Sequence, residues 1–263
     1  MSTMAPAATI AELVAAVRQE EHANDGGTER DARSVRPLLV VAAHPGAGAT
    51  TVAVALADAL AVTDAGGGVE LIDAAPSETS GLIGVARREV VGANGEWRAG
   101  QRGTVAVRRP TLSPRSLGEL PQLALGPGTR AVIDAGSSIH ALDADPATLL
   151  RVFDVLLVCR ATVPGARLAE VALNLLPARL PLAAVGARHW PSVVQASLGP
   201  ILAEAVEDDR VVLIPTDRDL QVRGVGADPL PHAVVAAAAR LAELIWPDTA
   251  AGARQHRRSW HLR

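Results

Sequence analysis

Between Val40 and Val52 the chain reads VVAAHPGAGATTV: an apolar run, a turn of small residues, and two threonines that open an alanine-rich stretch. The chemistry open to such a turn is phosphate binding. Consecutive backbone N–H groups curl around phosphate oxygens, and the positive end of the following helix adds its field. Glycines let the chain turn that tightly without a Cβ clash. A complete loop, G-x-x-x-x-G-K-[ST], also carries a lysine for the β/γ oxygens and a hydroxyl for Mg²⁺. Here Gly46, Gly48 and Thr50 keep the turn and the hydroxyl, Ala43 stands at the first glycine, and Ala49 stands at the lysine. Nothing in the loop compensates, because the whole chain of 263 residues contains no lysine and the loop holds no arginine. The cradle keeps its shape and has lost its charge. Phosphoryl transfer depends on positioned charge, so hydrolysis at this loop is expected to be feeble or absent.

The elements that must position this loop are legible as an alternation of strands and helices. Runs at 38–43, 68–74, 130–136, 153–161, 180–187 and 210–215 read as strands, mostly short continuous apolar stretches of the kind buried in a parallel sheet. Helices are expected at 50–62, 165–176, within 191–206 (broken near Gly199-Pro200) and at 231–245. Residues 75–130 are irregular, read as short helices with one strand at 104–108. The order predicts an α/β fold: a doubly wound, mostly parallel sheet with helices on both faces. Three regions are expected: an N-terminal helix and flexible linker (1–36), the α/β domain (37–246) and a basic, disordered tail (247–263).

Composition bounds the function classes. At 49% hydrophobic residues and a formal net charge of −3, the chain is a globular domain whose surface as a whole is not built for nucleic acid. Cys159 is the only cysteine, which excludes a disulfide framework and a cysteine zinc site and suits a cytoplasmic protein, at most peripheral to membrane or nucleoid. No secretory leader and no membrane-spanning run is evident.

The segment HPGAGATT resembles the deviant phosphate loop K-G-G-x-G-K-T-T of ParA/MinD-like P-loop ATPases. On that pattern His44 takes the place of the signature lysine, which in the family reaches across a nucleotide-sandwich dimer. Pro45 replaces the first glycine, Gly46 and Gly48 match the other two around Ala47, Ala49 replaces the loop lysine, and Thr50 and Thr51 match the paired threonines. VELIDAAP is similar to the family's strand ending D-x-D-P, with Asp73 kept and Ala75 in place of the second acid. AVIDAG is similar to its Walker B strand, with Asp134 kept. VVLIPTDRDL resembles its late I-P-x-D segment, which implies Pro215 and Asp217 beside an adenine. Lysine-deficient loops of this kind resemble those of CpaE/TadZ-like pilus proteins and of ParA-like proteins of actinobacterial mobile elements.

The resemblance implies ATP with Mg²⁺ as the ligand, bound weakly here. It implies Thr50 and Asp134 as the metal's ligands, and Asp73 and Asp134 as vestigial catalytic candidates. The bland alternative for both acids is hydrogen-bonded capping of the sheet's edge; for His44 it is a solvent-facing loop histidine. The implied partners are a second copy or another protein, docking over loops 43–51, 74–80 and 135–146. The resulting expectation is a non-hydrolysing regulator or scaffold with no small-molecule substrate besides nucleotide. The competing class is an active ATPase of DNA partition or of a pilus, conjugation or secretion apparatus, which would need a cation delivered from elsewhere.

Weaker signals remain. His140, Asp143 and Asp145 share a polar loop and read as a solvated segment rather than a metal cluster. Arg87, Arg88, Arg98, Arg102, Arg108, Arg109 and Arg115 read as scattered solvated arginines, with a DNA-binding surface as the alternative. Arg254, Arg257, Arg258 and Arg263 surround Trp260 in a tail that could touch DNA or anionic membrane. Cys159 reads as a core residue.

Overall fold

The computed structural model describes residues 36–63, 67–122, 125–126, 128–142, 145–176 and 179–247. The N-terminal helix expected within 1–36 and the arginine tail after 247 lie outside them.

The frame is one nine-stranded sheet. In chain order its strands are β1 (Leu38–Ala42), β2 (Val69–Asp73), β3 (Glu89–Val91), β4 (Trp97–Arg102), β5 (Val105–Pro110), β6 (Arg130–Ser138), β7 (Asp154–Arg160), β8 (Leu182–Val185) and β9 (Val211–Ile214). In space the order is β3-β4-β5-β2-β6-β1-β7-β8-β9. Every pairing from β5 to β9 is parallel, whereas β3–β4 and β4–β5 are antiparallel. The helices are α1 (Ala49–Thr63), α2 (Pro146–Val152), α3 (Val163–Leu175), α4 (Ser192–Gln195), α5 (Pro200–Glu207), α6 (Arg218–Arg223) and α7 (His232–Ile245). The mostly parallel, doubly wound sheet is therefore as the sequence implies.

Period-two geometry explains the two layers. Along central β1, Leu39 and Val41 join one core with α3 and α5, while Leu38, Val40 and Ala42 join the other with α1 and α7. Residues 38–41 are fully buried, as a strand covered on both faces requires. Helix α1 is buried on nearly every side, from Val52 to Leu60. Its alanines let it nest between the sheet and α7, and a helix apolar all round has no solvent face to offer.

In the region 75–130 the strand expected at 104–108 is present as β5, but the rest departs from the expectation: instead of short helices, β3 and β4 join β5 in a meander that extends the sheet at one edge, with one 3₁₀ turn among the described residues, at Leu117–Glu119. The helix broken at Gly199-Pro200 is confirmed as α4 and α5, and α5 is capped by Glu170 of α3, whose two oxygens accept from Ile201 N–H and Leu202 N–H at 2.9 and 2.8 Å. A Cβ at Gly199 would sit 2.4 Å from the Glu170 carboxyl carbon and push this cap aside. No helix among the described residues is long and apolar enough to cross a membrane.

Candidate functional site

Strands β1, β2 and β6 end side by side, and the loops that leave them enclose a cleft of about 630 Å³. Ligands of open α/β sheets sit in this position, outside the carboxyl ends of the strands. One wall is the loop Pro45–Thr51, another is Ala135–Ser138, and Pro114–Leu117 closes a third side. Gly46 and Gly48 take the left-handed conformation at φ +76° and +98°. The turn is closed by Ala47 N–H on His44 O at 3.2 Å, and α1 closes its first bond from Val52 N–H to Gly48 O at 3.0 Å. The N–H groups of Ala49, Thr50 and Thr51 thus have no carbonyl inside the helix. No acidic side chain lies in the first turn of α1. The glycine turn read from the sequence is formed, with Ala49 lining the cleft at the position where the resembled motif has its lysine.

The two acids face each other across β2 and β6, Asp73 in register with Asp134. Their circumstances differ. Asp73 is buried and fully engaged: Oδ1 accepts from Ala75 N–H at 3.0 Å, and Oδ2 accepts from Ser80 Oγ at 2.5 Å and from Arg109 Nε at 3.1 Å. Arg109 reaches it from β5 and donates through Nη1 to both Glu89 oxygens, at 2.9 and 3.1 Å. Asp134 accepts from Gly136 N–H on Oδ1, at 3.1 Å, its Oδ2 is buried, the Thr50 hydroxyl is its other hydrogen-bonding neighbour, and neither acid lines the cleft itself. Burial pushes the Asp134 carboxyl up to about 6. The nearby Thr50 hydroxyl and the Gly136 N–H pull the other way, and the Asp73 charge adds to the rise.

Close packing holds these ends together. Gly136 sits at φ +63°, and a Cβ there would fall 2.0 Å from Ala75 Cβ. The alanine where the resembled motif has its second acid is thus pressed against the β6 turn. Gly81 presses likewise on Thr50: its Cβ would lie 2.9 Å from Thr50 Oγ1. The segment after β2 therefore covers the hydroxyl expected to bind metal. Among the described residues no group of three or more His, Cys, Asp and Glu side chains could hold a metal by itself. Thr50 lines the cleft whereas Asp134 lies fully buried behind it, so this pair would hold Mg²⁺ only with phosphate supplying further ligands, as that ion usually demands. Asp73, held by Arg109, is unavailable to it.

Several expectations need correction. His44 is half-buried rather than solvent-facing: its Nδ1 lies 2.9 Å from Pro45 O, its Nε2 is shielded from solvent with no partner, and it does not line the cleft. Pro215 and Asp217 do not line the cleft either. Asp217 is the N-cap of α6, accepting from Leu220 N–H at 3.0 Å. Asp145 is likewise a cap, for α2 through Thr148 N–H at 3.0 Å, and His140 lies in a 3₁₀ turn; Asp143 is outside the described residues.

The arginines are not uniformly solvated. Arg102 is buried, paired through Nε and Nη2 with Asp58 at 2.8 and 2.9 Å and bonded to the carbonyls of Gly226 and Asp228. Arg108 pairs with Glu70 at 3.6 Å. Arg87, Arg88 and Arg98 are exposed, and Arg115 lines the cleft. Cys159 is fully buried, and its thiol is pushed up to about 12 by that burial.

No family model matches the chain, and no curated protein matches it. Its fold nevertheless has solved counterparts. It is similar to a MinC:MinD cell division protein complex of Aquifex aeolicus, at 18% identity over 78% of this chain and 94% of that one, TM-score 0.52. It is similar to a putative plasmid partition protein of Borrelia burgdorferi B31 bound to AMPPNP, at 17% identity over 82% and 100%, TM-score 0.51. A ParA family ATPase of Chlorobium tepidum TLS aligns at 14% identity over 82% and 99%, TM-score 0.51. At these identities the likeness is one of architecture: the chain has the MinD/ParA P-loop fold.

Proposed function

We propose that this protein is a non-hydrolysing relative of the MinD/ParA ATPases, a regulator or scaffold that binds nucleotide weakly and recruits a protein partner. One observation carries the reading. The cleft has an intact phosphate cradle, while Ala49 stands at its cation position and Asp73 is sequestered by Arg109 and Ser80. Shape without positioned charge supports binding far better than phosphoryl transfer. The backbone N–H groups of the loop and the end of α1 hold the phosphates. Thr50, on the cleft wall, and Asp134, buried behind it, would hold a Mg²⁺ ion, which would neutralise phosphate charge. Arg109 keeps Asp73 from orienting a water.

The partner surface is the face formed by loops 43–51, 74–80 and 135–146, all of which border the cleft. A second copy or another protein docked there reads the state of the nucleotide site through the segment over Thr50. The Borrelia protein's AMPPNP and the Aquifex MinC:MinD pairing are consistent with a nucleotide site and a protein partner in this fold.

Calorimetry with ATP, with and without Mg²⁺, on wild type and Thr50→Ala, combined with a phosphate-release assay, tests the reading. Weak binding that Thr50→Ala weakens further, with no release, supports it. Sustained release abolished by Thr50→Ala identifies an active ATPase and overturns it.

A further inference from the structure

The residues that line the cleft include no carboxylate, and only one of them is charged: Arg115. We infer that Arg115 is the phosphate-binding cation of this cleft, taking from across the cavity the role that the loop gives up at Ala49. Its ligand is the phosphate chain of a nucleoside di- or triphosphate. The inference rests on the reading of the cleft as a nucleotide site.

The backbone around Arg115 is anchored while its head group is not. Pro114 and Leu117 are buried on either side, Arg115 N–H donates to Glu119 Oε2 at 2.8 Å, and Ser113 Oγ accepts from Ser77 N–H at 2.9 Å. The Arg115 side chain is exposed, and among the described residues its guanidinium makes no ion pair or hydrogen bond. Other arginines of the same region are committed: Arg102 to Asp58, Arg108 to Glu70 and Arg109 to Asp73 and Glu89. Glu78 and Glu119 are the nearby carboxylates, and both already accept from Ser113 or from Arg115's own backbone. A planar guanidinium suits two phosphate oxygens at once, and facing a loop of free N–H groups it completes a clamp around a phosphate chain.

The Arg115 clamp binds phosphate without supplying what transfer needs, so it agrees with a site that holds nucleotide and does not cleave it.

The test is calorimetry with ATP, ADP, inorganic tripolyphosphate and adenosine on wild type, Arg115→Ala and Arg115→Lys. Arg115→Ala is expected to weaken ATP and tripolyphosphate at least tenfold, in line with the loss of a charge-assisted hydrogen bond. Arg115→Lys is expected to fall between the two, adenosine is unaffected, and the ligand-free melting temperature stays that of wild type. In the Arg115→Ala background, Ala49→Lys is expected to recover most of the affinity. Equal ATP affinity in wild type and Arg115→Ala would overturn the inference, as would an equal loss for adenosine. Wild type that binds neither ATP nor tripolyphosphate at millimolar concentration also overturns it, together with the weak nucleotide binding of the proposed function. Equal affinity in wild type and Arg115→Ala overturns the inference alone, and sustained phosphate release overturns the non-hydrolysing reading alone.

Discussion

Replacing Arg109 by Met removes the guanidinium that joins Asp73 on β2 to Glu89 on β3 and leaves a similar apolar volume. The Arg109 side chain is 13% exposed and the Asp73 side chain 2%, so solvent cannot replace what is lost. Asp73 keeps the Ser80 hydroxyl and the Ala75 N–H, yet a buried carboxylate without its cation is strongly unfavourable. Breaking such a pair from one side typically costs about 3–5 kcal/mol. In a domain of this size each kcal/mol lowers the melting temperature by roughly 2–4 °C, so a drop of about 6–20 °C is expected. Denaturant unfolding of wild type, Arg109→Met, Asp73→Asn and the double variant closes a cycle, and the pair should show a coupling of about 1–3 kcal/mol. The double variant is therefore expected to be less damaged than the two single losses sum to. A loss under roughly 1 kcal/mol for Arg109→Met, or single effects that add within about 0.5 kcal/mol, refutes the claim that Arg109 holds Asp73.

Asp134, raised from 3.8 to about 6, carries a pH signature. Because its folded value exceeds the unfolded one, the folded state holds the extra proton and its contribution to stability is present below about pH 4. That contribution is lost as pH rises toward 6, by about 3 kcal/mol for a shift of two units. The stability of Asp134→Asn relative to wild type should therefore grow between pH 4 and 6 and level off above, as urea titrations across that range will read. A flat difference would contradict it. Gly136→Ala needs a left-handed backbone and a Cβ 2.0 Å from Ala75 Cβ, so unfolding should register a loss of about 3 kcal/mol or more. Arg102→Met strands Asp58, whose side chain is only 20% exposed, and the carbonyls of Gly226 and Asp228, and a loss of about 2–4 kcal/mol is expected by the same assay, with a result near zero counting against the pairing.

The central strands, α1 and the cradle were legible because they are set by local signals: continuous apolar runs, left-handed glycines and the threonines that open α1. Asp73 and Asp134 were legible as acids closing such runs. Of the meander only β5 was. WRAGQR of β4 has no β-branched residue, and an arginine in it reads as a surface residue until its partner is known. Asp58 lies 44 residues from Arg102 and Asp73 lies 36 from Arg109, so only the folded sheet brings these charges together. For the same reason Arg115 was one of seven similar arginines in the sequence and becomes distinct only by facing the cleft. Asp217 carries a second signal, a plain N-cap in front of α6, which the motif resemblance hid.

The most direct measurement is phosphate release from saturating ATP and Mg²⁺, by wild type beside Thr50→Ala. A cradle that lacks its loop lysine and has its second-strand acid tied to Arg109 predicts the same background from both. Steady turnover by wild type that vanishes in Thr50→Ala would contradict it.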